Sequence, residues 1–252
     1  MATFAVVDIH GHLAPLEDVL VLVHAEATPE DTVVFLGDYI DRGAKSPQCV
    51  EAVLRFGAET AASVVYLCGN HEDWMLRTAR DYRHHSWLLG MDALPTIRSY
   101  SADAADAIAA AMSAGGLALY EGEYELPYGL FFDALPLDHV AFFRDLKAYH
   151  ATADCVCAHG GLNPRVERLD QHTQHDVVWG ADSFPSAYRG ETAVVYGHRN
   201  NADLDPDRWP RPRLVGRTFG IDTISHGVLT AIRLPDGRLF QSRRHRSAQR
   251  HP

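Results

Sequence analysis

Long apolar runs and a disulfide framework are missing from this sequence and lysine is scarce, and each of these features argues against a class of protein. No apolar stretch approaches the about 20 residues that a helix needs to cross a bilayer, and no basic or apolar leader precedes Phe4. Lysine occurs only at positions 45 and 147, and the formal net charge is -10. Because sequence-independent binding to nucleic acid depends on basic side chains, this acidic balance disfavours a nucleic-acid partner.

The composition is that of one large globular domain, since the 252 residues include 46% hydrophobic and 22% charged residues. The four cysteines give no disulfide framework, and Cys155 and Cys157 alternate along an apparent strand, as two buried thiols on one face would. These features predict a soluble, cytoplasmic protein with neither a membrane nor a nucleic-acid partner. They leave its oligomeric state open.

Five short apolar runs each end in a turn that carries Asp, His or Asn. Such runs, rich in β-branched residues, predict buried strands, and glycine in the turns permits sharp bends. Because strands of one sheet end along one edge, ligands from distant parts of the chain can converge there. Oxygen and nitrogen ligands without cysteine suit hard or borderline divalent cations, and five contributions exceed what one ion needs. The sequence therefore predicts a site for two metal ions, at the turns Asp8-Ile9-His10, Gly37–Gly43, Gly69–Glu72, His159–Gly161 and Gly197-His198.

Hydrophobic periodicity predicts alternating strands and helices near both ends of the chain. Residues 3–76 repeat strand, loop and helix, with helical spacing over Leu13–His24 and Pro47–Phe56. Two late strands are predicted over Arg217–Asp222 and Val228–Leu234.

A polar and less periodic segment interrupts this alternation at about 82–136, and Ser101 is expected to cap a helix within it. A further helix is predicted over Leu137–His150. Since no linker or repeat divides the chain, residues 1–241 are predicted to form a single domain, and the basic residues 242–252 a disordered tail.

Three motifs and two later histidines, in this order, carry a resemblance to a known family. They are Asp8-x-His10-Gly11, Gly37-Asp38-x-x-Asp41-Arg42-Gly43 and Gly69-Asn70-His71-Glu72, followed by His159 and His198. The set resembles the phosphoprotein phosphatase family of calcineurin-like metallophosphoesterases, of the bacterial serine/threonine protein phosphatase and diadenosine tetraphosphatase type. The resemblance implies an α/β (α+β) fold of four layers, in which two mixed sheets pack face to face between outer helices. It also implies that residues 82–136 are a variable, cap-like insertion beside the site.

The resemblance further implies a set of metal ligands. Asp8 and His10 would bind the first ion, and Asp38 would bridge both. The ligands that would complete the second ion are Asn70, His159 and His198. Two such ions would activate the attacking water and neutralise the phosphate. Mn is the expected metal, with Fe, Zn, Co, Ni and Mg as alternatives.

His71 matches the general acid of the family, and Asp41 matches its carboxylate partner. A carboxylate beside an imidazole raises the imidazole pKa, which would keep His71 protonated near neutral pH. Arg42 matches the phosphate-binding arginine, a role that suits its planar, bidentate guanidinium. Glu72 is expected to cap or orient the helix that follows it.

One position departs from the bacterial pattern. Bacterial members often carry an arginine two residues after the tryptophan that Trp179 matches, whereas this chain has Ala181. Arg189 is our substitute for that arginine in the catalytic set. An arginine that only covers the surface would fit the sequence equally well.

These features predict a metal-dependent phosphomonoesterase, either a serine/threonine or a dual-specificity protein phosphatase, that acts on a phosphorylated protein or small molecule. The intact Asp41-Arg42-Gly43 and the Glu at position 72 favour it over a symmetrical diadenosine tetraphosphate hydrolase. A nuclease of the wider superfamily and a phosphopeptide-binding pseudoenzyme are further alternatives.

Within the insertion, the aromatic residues would contact the substrate or pack in the core. They are Trp87, Tyr100, Tyr120, Tyr124 and Tyr128.

Overall fold

The computed structural model describes residues 1–122, 124–200 and 209–245, which form two five-stranded sheets. The first sheet consists of β1 (Thr3–Val6), β2 (Thr32–Phe35), β3 (Ser63–Tyr66), β9 (Thr230–Leu234) and β10 (Arg238–Gln241), in the spatial order β10-β9-β1-β2-β3. The second consists of β4 (Tyr149–Ala151), β5 (Cys155–Ala158), β6 (Ala193–Tyr196), β7 (Arg213–Val215) and β8 (Thr218–Gly220), in the order β4-β5-β6-β8-β7. Both sheets are mixed: β1, β2 and β3 run parallel, as do β5, β6 and β8, and the remaining strands pair antiparallel to them.

Successive side chains along each strand point to opposite faces of the sheet, so each strand contributes to two apolar layers. Val34 and Leu36 join the apolar cluster between the sheets, whereas Val33 and Phe35 join the cluster under the outer helices. Cys155 and Cys157 both lie in the cluster between the sheets and are free, buried thiols, as the sequence indicated. The four-layer arrangement of two mixed sheets between helices confirms the predicted fold class.

Helices cover both outer faces of the pair of sheets. On the first sheet lie α1 (Leu13–His24) and α2 (Ser46–Glu59), whose buried sides carry Leu16 and Val53. On the second sheet, α10 (Gln174–Val178) contributes Val177 and Val178 to a separate apolar cluster. The helix α3 (Asn70–Arg80) follows β3 in the chain and begins at the third motif.

The insertion is helical and shares its apolar core with α1 and α2. Trp87, Ile97 and Phe131 are buried in the same cluster as Leu16, so packing holds the segment against the first sheet's helices. Ser101 caps α6 as predicted, because its Oγ accepts the backbone N–H of Ala104 at 3.1 Å. The helices are α4 (Ser86–Gly90), α5 (Leu94–Tyr100), α6 (Ala102–Gly115), α7 (Ala118–Glu121) and α8 (Gly129–Phe132).

The helix predicted over Leu137–His150 is wrong in its second half. The helix α9 ends at Arg144, and β4 begins at Tyr149. Between them, the backbone of Lys147 donates to the Tyr66 carbonyl and accepts from Cys68, at 3.0 and 2.8 Å. Hydrogen bonds to the end of β3 therefore replace the helical hydrogen bonds that would have continued α9.

The beginning of the predicted tail contacts the domain. Ser242 is buried, and both Arg243 and His245 bond to the Asp18 carboxylate on α1. Residues 246–252 lie outside the described residues. Across the described ranges, no helix combines the length and the apolar character that crossing a membrane requires.

Candidate metal centre and acid dyad

The turns that carry the predicted ligands follow parallel strands of both sheets. Asp8 follows β1 and Asp38 follows β2, so both lie at one edge of the first sheet. His159 and His198 follow β5 and β6, which are parallel neighbours in the second sheet. The two edges meet at Asn70, whose Oδ1 atom lies 2.9 Å from Nε2 of His159 and 2.8 Å from Nδ1 of His198.

The Asp38 carboxylate lies at the centre of this cluster. Its Oδ2 atom is 3.4 Å from Nε2 of His10, 3.4 Å from Nε2 of His159 and 3.8 Å from Nε2 of His71. Asp38 belongs to both of the groups of ligand atoms that lie within 4.8 Å of one another, as a bridging carboxylate must. The groups are His10, Asp38 and His71, and Asp8, Asp38 and His159.

Backbone carbonyls orient two of the imidazoles. Nδ1 of His10 is 3.1 Å from the carbonyl oxygen of Ile40, and Nδ1 of His159 is 3.0 Å from that of Leu36. When each Nδ1 donates to its carbonyl, Nε2 is left as a lone pair that faces the cluster, which is the arrangement of a metal-binding histidine. Burial and the neighbouring His159 lower the pKa of His198 to about 4, so this ring is neutral as well.

The ligand turns hold strained backbone. Seven non-glycine residues in the described ranges have positive φ, a region that L-residues rarely adopt. Six of the seven are predicted site residues, and such strain is typical of functional sites held by their surroundings. They are Asp8, His10, Asp38, Asp41, Arg42 and His198.

Three buried carboxylates concentrate negative charge in the cluster. Asp8, Asp38 and Asp222 are 0%, 1% and 4% exposed. Burial, together with repulsion by Asp222 and Asp38, raises the pKa of Asp8 well above its usual range, and no hydrogen-bond partner in the described part of the chain reaches Oδ1 of Asp8. Buried carboxylates of this kind require cations or protons. Carboxylates with an orphaned oxygen, neutral imidazoles and an amide oxygen fit two divalent ions.

Asp222 was not among the sequence-predicted site residues. It follows β8, which pairs with β6 just before His198. In the sequence, Asp222-Thr223 resembles a strand end of the family, which favours a structural role over a catalytic one.

His71 and Asp41 form a buried ion-pair arrangement next to the cluster. Nδ1 of His71 lies 2.7 Å from Oδ2 of Asp41, and the two side chains are 1% and 0% exposed. Burial lowers the pKa of His71, but the charges of Asp38 and Asp41 outweigh it and raise the pKa above its usual value. The raised pKa favours the protonated ring, whose Nε2 atom faces Asp38.

Arg42 lies over the same imidazole. Its Nη2 atom is 3.4 Å from Nε2 of His71, and the residue is exposed to solvent. A guanidinium at the open side of the buried cluster is placed where it could contact a phosphate that enters the site.

Glu72 connects the second motif to the third. Its carboxylate accepts the backbone N–H groups of Asp38, Tyr39 and Gly69 at 2.8, 2.9 and 3.0 Å. It therefore fixes the Asp38 turn as well as the start of α3, and has a wider structural role than the predicted orientation of one helix. Gly69 is required beside it, because a Cβ there would collide with the Asp38 carboxylate.

The structure does not bring Arg189 to the cluster. Its guanidinium donates to the carbonyls of Ser186 and Tyr188 at 2.7 and 2.8 Å, so it closes its own loop. It also lines a groove that none of the predicted metal ligands share. These contacts lend no support to Arg189 as the substitute for the missing arginine, and that assignment stays a prediction.

Arg199 lies beside the cluster, next to the predicted ligand His198. It directly follows His198, it contributes to lowering the pKa of that histidine, and its Nη2 donates to the Ala181 carbonyl at 2.9 Å. Its Nε is buried and has no hydrogen-bond partner among the described residues. The signal that could have found it is its position next to a predicted ligand.

The aromatic residues of the insertion divide between core and surface. Trp87 and Tyr128 are 0% exposed, Tyr100 and Tyr124 are partly buried, and Tyr120 is 75% exposed. Core packing thus accounts for most of them. Tyr120 lies in a groove of about 630 Å³ that also includes the edge of the partly buried Trp74.

The insertion also touches the dyad and the cluster. The indole N–H of Trp87 donates to Oδ2 of Asp41 at 2.9 Å, and Oγ1 of Thr96 accepts the Asp41 N–H at 2.6 Å. Nδ2 of Asn70 donates to the sulfur of Met91 at 3.6 Å. The segment therefore forms one wall of the site.

Comparison with known proteins agrees with this geometry. The profile of the calcineurin-like phosphoesterase family matches residues 3–227, so the chain belongs to that family. Members are hydrolases with a dinuclear divalent metal centre, and this chain is accordingly a metallophosphoesterase.

Among individual proteins, the chain is similar to the asymmetrical bis(5′-nucleosyl)-tetraphosphatase PrpE of Bacillus velezensis, with 29% identity over 85% of this chain and 77% of that protein. The corresponding protein of a Geobacillus species is 27% identical over 80% of this chain and 75% of its own length. Two solved structures share the fold. One, provisionally described as a diadenosine tetraphosphatase, is 21% identical over 95% of this chain and 92% of its own, with a TM-score of 0.61. The other is a cold-active protein-tyrosine phosphatase of a Shewanella species, 17% identical over 96% and 80%, with a TM-score of 0.52.

Proposed function

We propose that this metallophosphoesterase hydrolyses phosphate monoesters of alcohols, and specifically phosphorylated serine and threonine side chains of proteins. The observation that carries the proposal is the buried His71–Asp41 pair, with its 2.7 Å contact. An alcohol, like water with its pKa of about 15.7, is a poor leaving group unless it receives a proton. A protonated imidazole held by a carboxylate supplies that proton.

Each protein group has a defined task in this reaction. Nε2 of His71 donates to the leaving oxygen, and Asp41 holds the ring in the orientation that permits this. Arg42, beside Nε2, binds the non-bridging phosphate oxygens and aligns the ester with the acid.

The metal-binding side chains complete the site. Two divalent ions, which we propose to be Mn, supply Lewis-acid charge and an acidified water when they are bound. The residues that would hold them are Asp8, His10, Asp38, Asn70, His159 and His198.

Asymmetrical hydrolysis of a dinucleoside tetraphosphate is the second candidate, and two observations favour it. Curated relatives across most of the chain have this activity in their names, which favours asymmetrical over symmetrical cleavage. A groove of about 470 Å³ is lined by Arg42 and Lys45, whose basic groups suit an extended anion, together with Glu17. The acid pair weighs against it, because a phosphate leaving group has a pKa of about 6 and departs without a proton.

One substrate panel separates the candidates. Mn-loaded protein would be assayed on a phosphoserine peptide, diadenosine tetraphosphate and 4-nitrophenyl phosphate, with separation of the nucleotide products. The first proposal predicts the highest kcat/KM on the phosphopeptide. A preference for the tetraphosphate, with AMP and ATP as products, would replace it by the second candidate, and two ADP products would instead indicate symmetrical cleavage.

Lys45 provides an independent variant for the second candidate. Lys45→Ala removes a basic group of the groove without touching a metal ligand, so it should raise KM for the tetraphosphate several-fold and leave 4-nitrophenyl phosphate unchanged. Equal kinetics on both substrates would remove the groove from consideration as a polyphosphate site.

A further inference from the structure

Trp87 makes a polar contact that its position in an apolar core does not require. The side chain is 0% exposed and packs against Tyr128 and Phe131, yet its indole N–H points at the acid dyad. It donates to Oδ2 of Asp41 at 2.9 Å, and Nδ1 of His71 lies 2.7 Å from the same oxygen.

Thr96 is the other polar side chain beside Asp41. Its Oγ1 accepts the backbone N–H of Asp41 at 2.6 Å and is 3.0 Å from the Ser46 hydroxyl, and its hydroxyl also helps to lower the pKa of the Asp41 carboxyl. Within the described ranges, Oδ1 of Asp41 is buried and meets no hydrogen-bond partner. Rotation about the bond to the carboxylate is therefore opposed by the two donors on Oδ2.

We propose that Trp87 is a positioning residue for acid catalysis: its indole N–H fixes the Asp41 carboxylate so that Oδ2 aims at His71. This inference rests on the proposed function, in which His71 is the proton donor. Trp87 belongs to the insertion. Through this contact the insertion contributes to the chemical step, in addition to any effect on substrate choice.

The direct test is Trp87→Phe, which removes the donor and keeps an aromatic ring in the core. We expect kcat on a phosphoserine peptide to fall about 10- to 100-fold, in line with the loss of one charge-assisted hydrogen bond. The loss on 4-nitrophenyl phosphate should be much smaller, because its leaving group needs little protonation. KM and bound metal should stay unchanged.

A double variant separates positioning from packing. If Trp87 acts through His71, then Trp87→Phe should have no further effect on kcat in a His71→Asn background, because coupled residues are non-additive. Full additivity of the two losses, or an equal loss on both substrates, would overturn the proposal. A His71→Asn variant that shows no dependence on the leaving group would instead contradict the proposed function itself.

Two further variants test whether the loss of activity in Trp87→Phe is caused by a change in folding. Trp209→Phe is the matched control, because its indole N–H bonds to Gln241 at 2.7 Å and not to a site residue, and it should keep full activity. Incorporation of 3-benzothienylalanine at position 87 preserves the bicyclic shape and lacks the N–H. It should reproduce the kinetic loss at an unchanged melting temperature, and wild-type kinetics for this isostere would overturn the proposal.

Discussion

The ligand turns and the helical insertion meet at Asp41, and they are held in place by opposite kinds of interaction. The turns combine positive φ at Asp38 and Asp41 with buried charges and polar contacts. The insertion is ordered by apolar packing, with Trp87 and Phe131 in a continuous core. Strained residues cost about 1–3 kcal/mol each and persist only where the surroundings hold them. We therefore expect the structure of the turns to depend on bound metal, and the structure of the insertion to depend on apolar packing.

The largest expected effect comes from Asp38→Asn, which replaces the carboxylate shared by the two ligand groups with a neutral amide. Because Asp38 belongs to both ligand groups, the variant should lose bound metal and at least about 10³-fold in kcat/KM. Metal analysis by mass spectrometry and steady-state kinetics would measure both effects.

Asp31→Asn is the matched control for Asp38→Asn. Asp31 is also buried, but it accepts from Thr28 in a loop outside the site, so its replacement should lower stability and leave metal content unchanged. Undiminished hydrolysis by rigorously chelated wild-type protein would contradict the dependence of the turns on metal.

His71→Asn should have the next largest effect, and it acts at the boundary between the two regions. Loss of a positioned proton donor costs about 10²–10⁴-fold in rate, so turnover of a phosphoserine peptide should fall by that factor at unchanged metal content. The loss should be smaller for 4-nitrophenyl phosphate. His139→Asn, at a buried histidine bonded to Tyr100, is the control with wild-type kinetics. The same loss on both substrates would exclude His71 as the acid.

The sequence was sufficient to predict the turns because their chemistry is local. Each ligand follows an apolar run, so the strand, the bend and the metal-binding side chain occur within about ten residues, as in Phe4–Gly11. The helix Leu13–His24 was also predicted with its observed bounds, since its apolar spacing is regular.

The remaining features depend on proximity in space, which one sequence does not encode locally. Trp87 contacts Asp41 across 46 positions of sequence, and its aromatic ring gives no hint of a polar role. The end of α9 is set by hydrogen bonds to β3, and the choice between Arg189 and Arg199 by how two loops fold. Tertiary contacts decide all three.

Arg199→Ala compared with Arg189→Ala tests that last distinction. Arg199 lies beside His198 and bonds to Ala181, so its loss should lower kcat/KM about tenfold, chiefly through KM for the phosphorylated substrate. Arg189 bonds to its own loop, and its replacement should change kcat/KM less than twofold. The reverse order of effects, measured on one substrate, would restore Arg189 to the site.

The smallest expected effect concerns the outer surface of the insertion. Tyr120 is 75% exposed and shares a groove of about 630 Å³ with Trp74, which packs against Trp179 with ring centroids 4.6 Å apart. Tyr120→Ala should raise KM two- to fivefold for a phosphopeptide or a dinucleotide, because loss of an exposed aromatic contact costs about 0.5–1 kcal/mol. KM for 4-nitrophenyl phosphate, which is too small to reach the groove, should not change. Leu214→Ala removes a comparably exposed apolar side chain from β7 and serves as the control. Equal shifts for large and small substrates would mean that the insertion influences the reaction through its buried contacts alone.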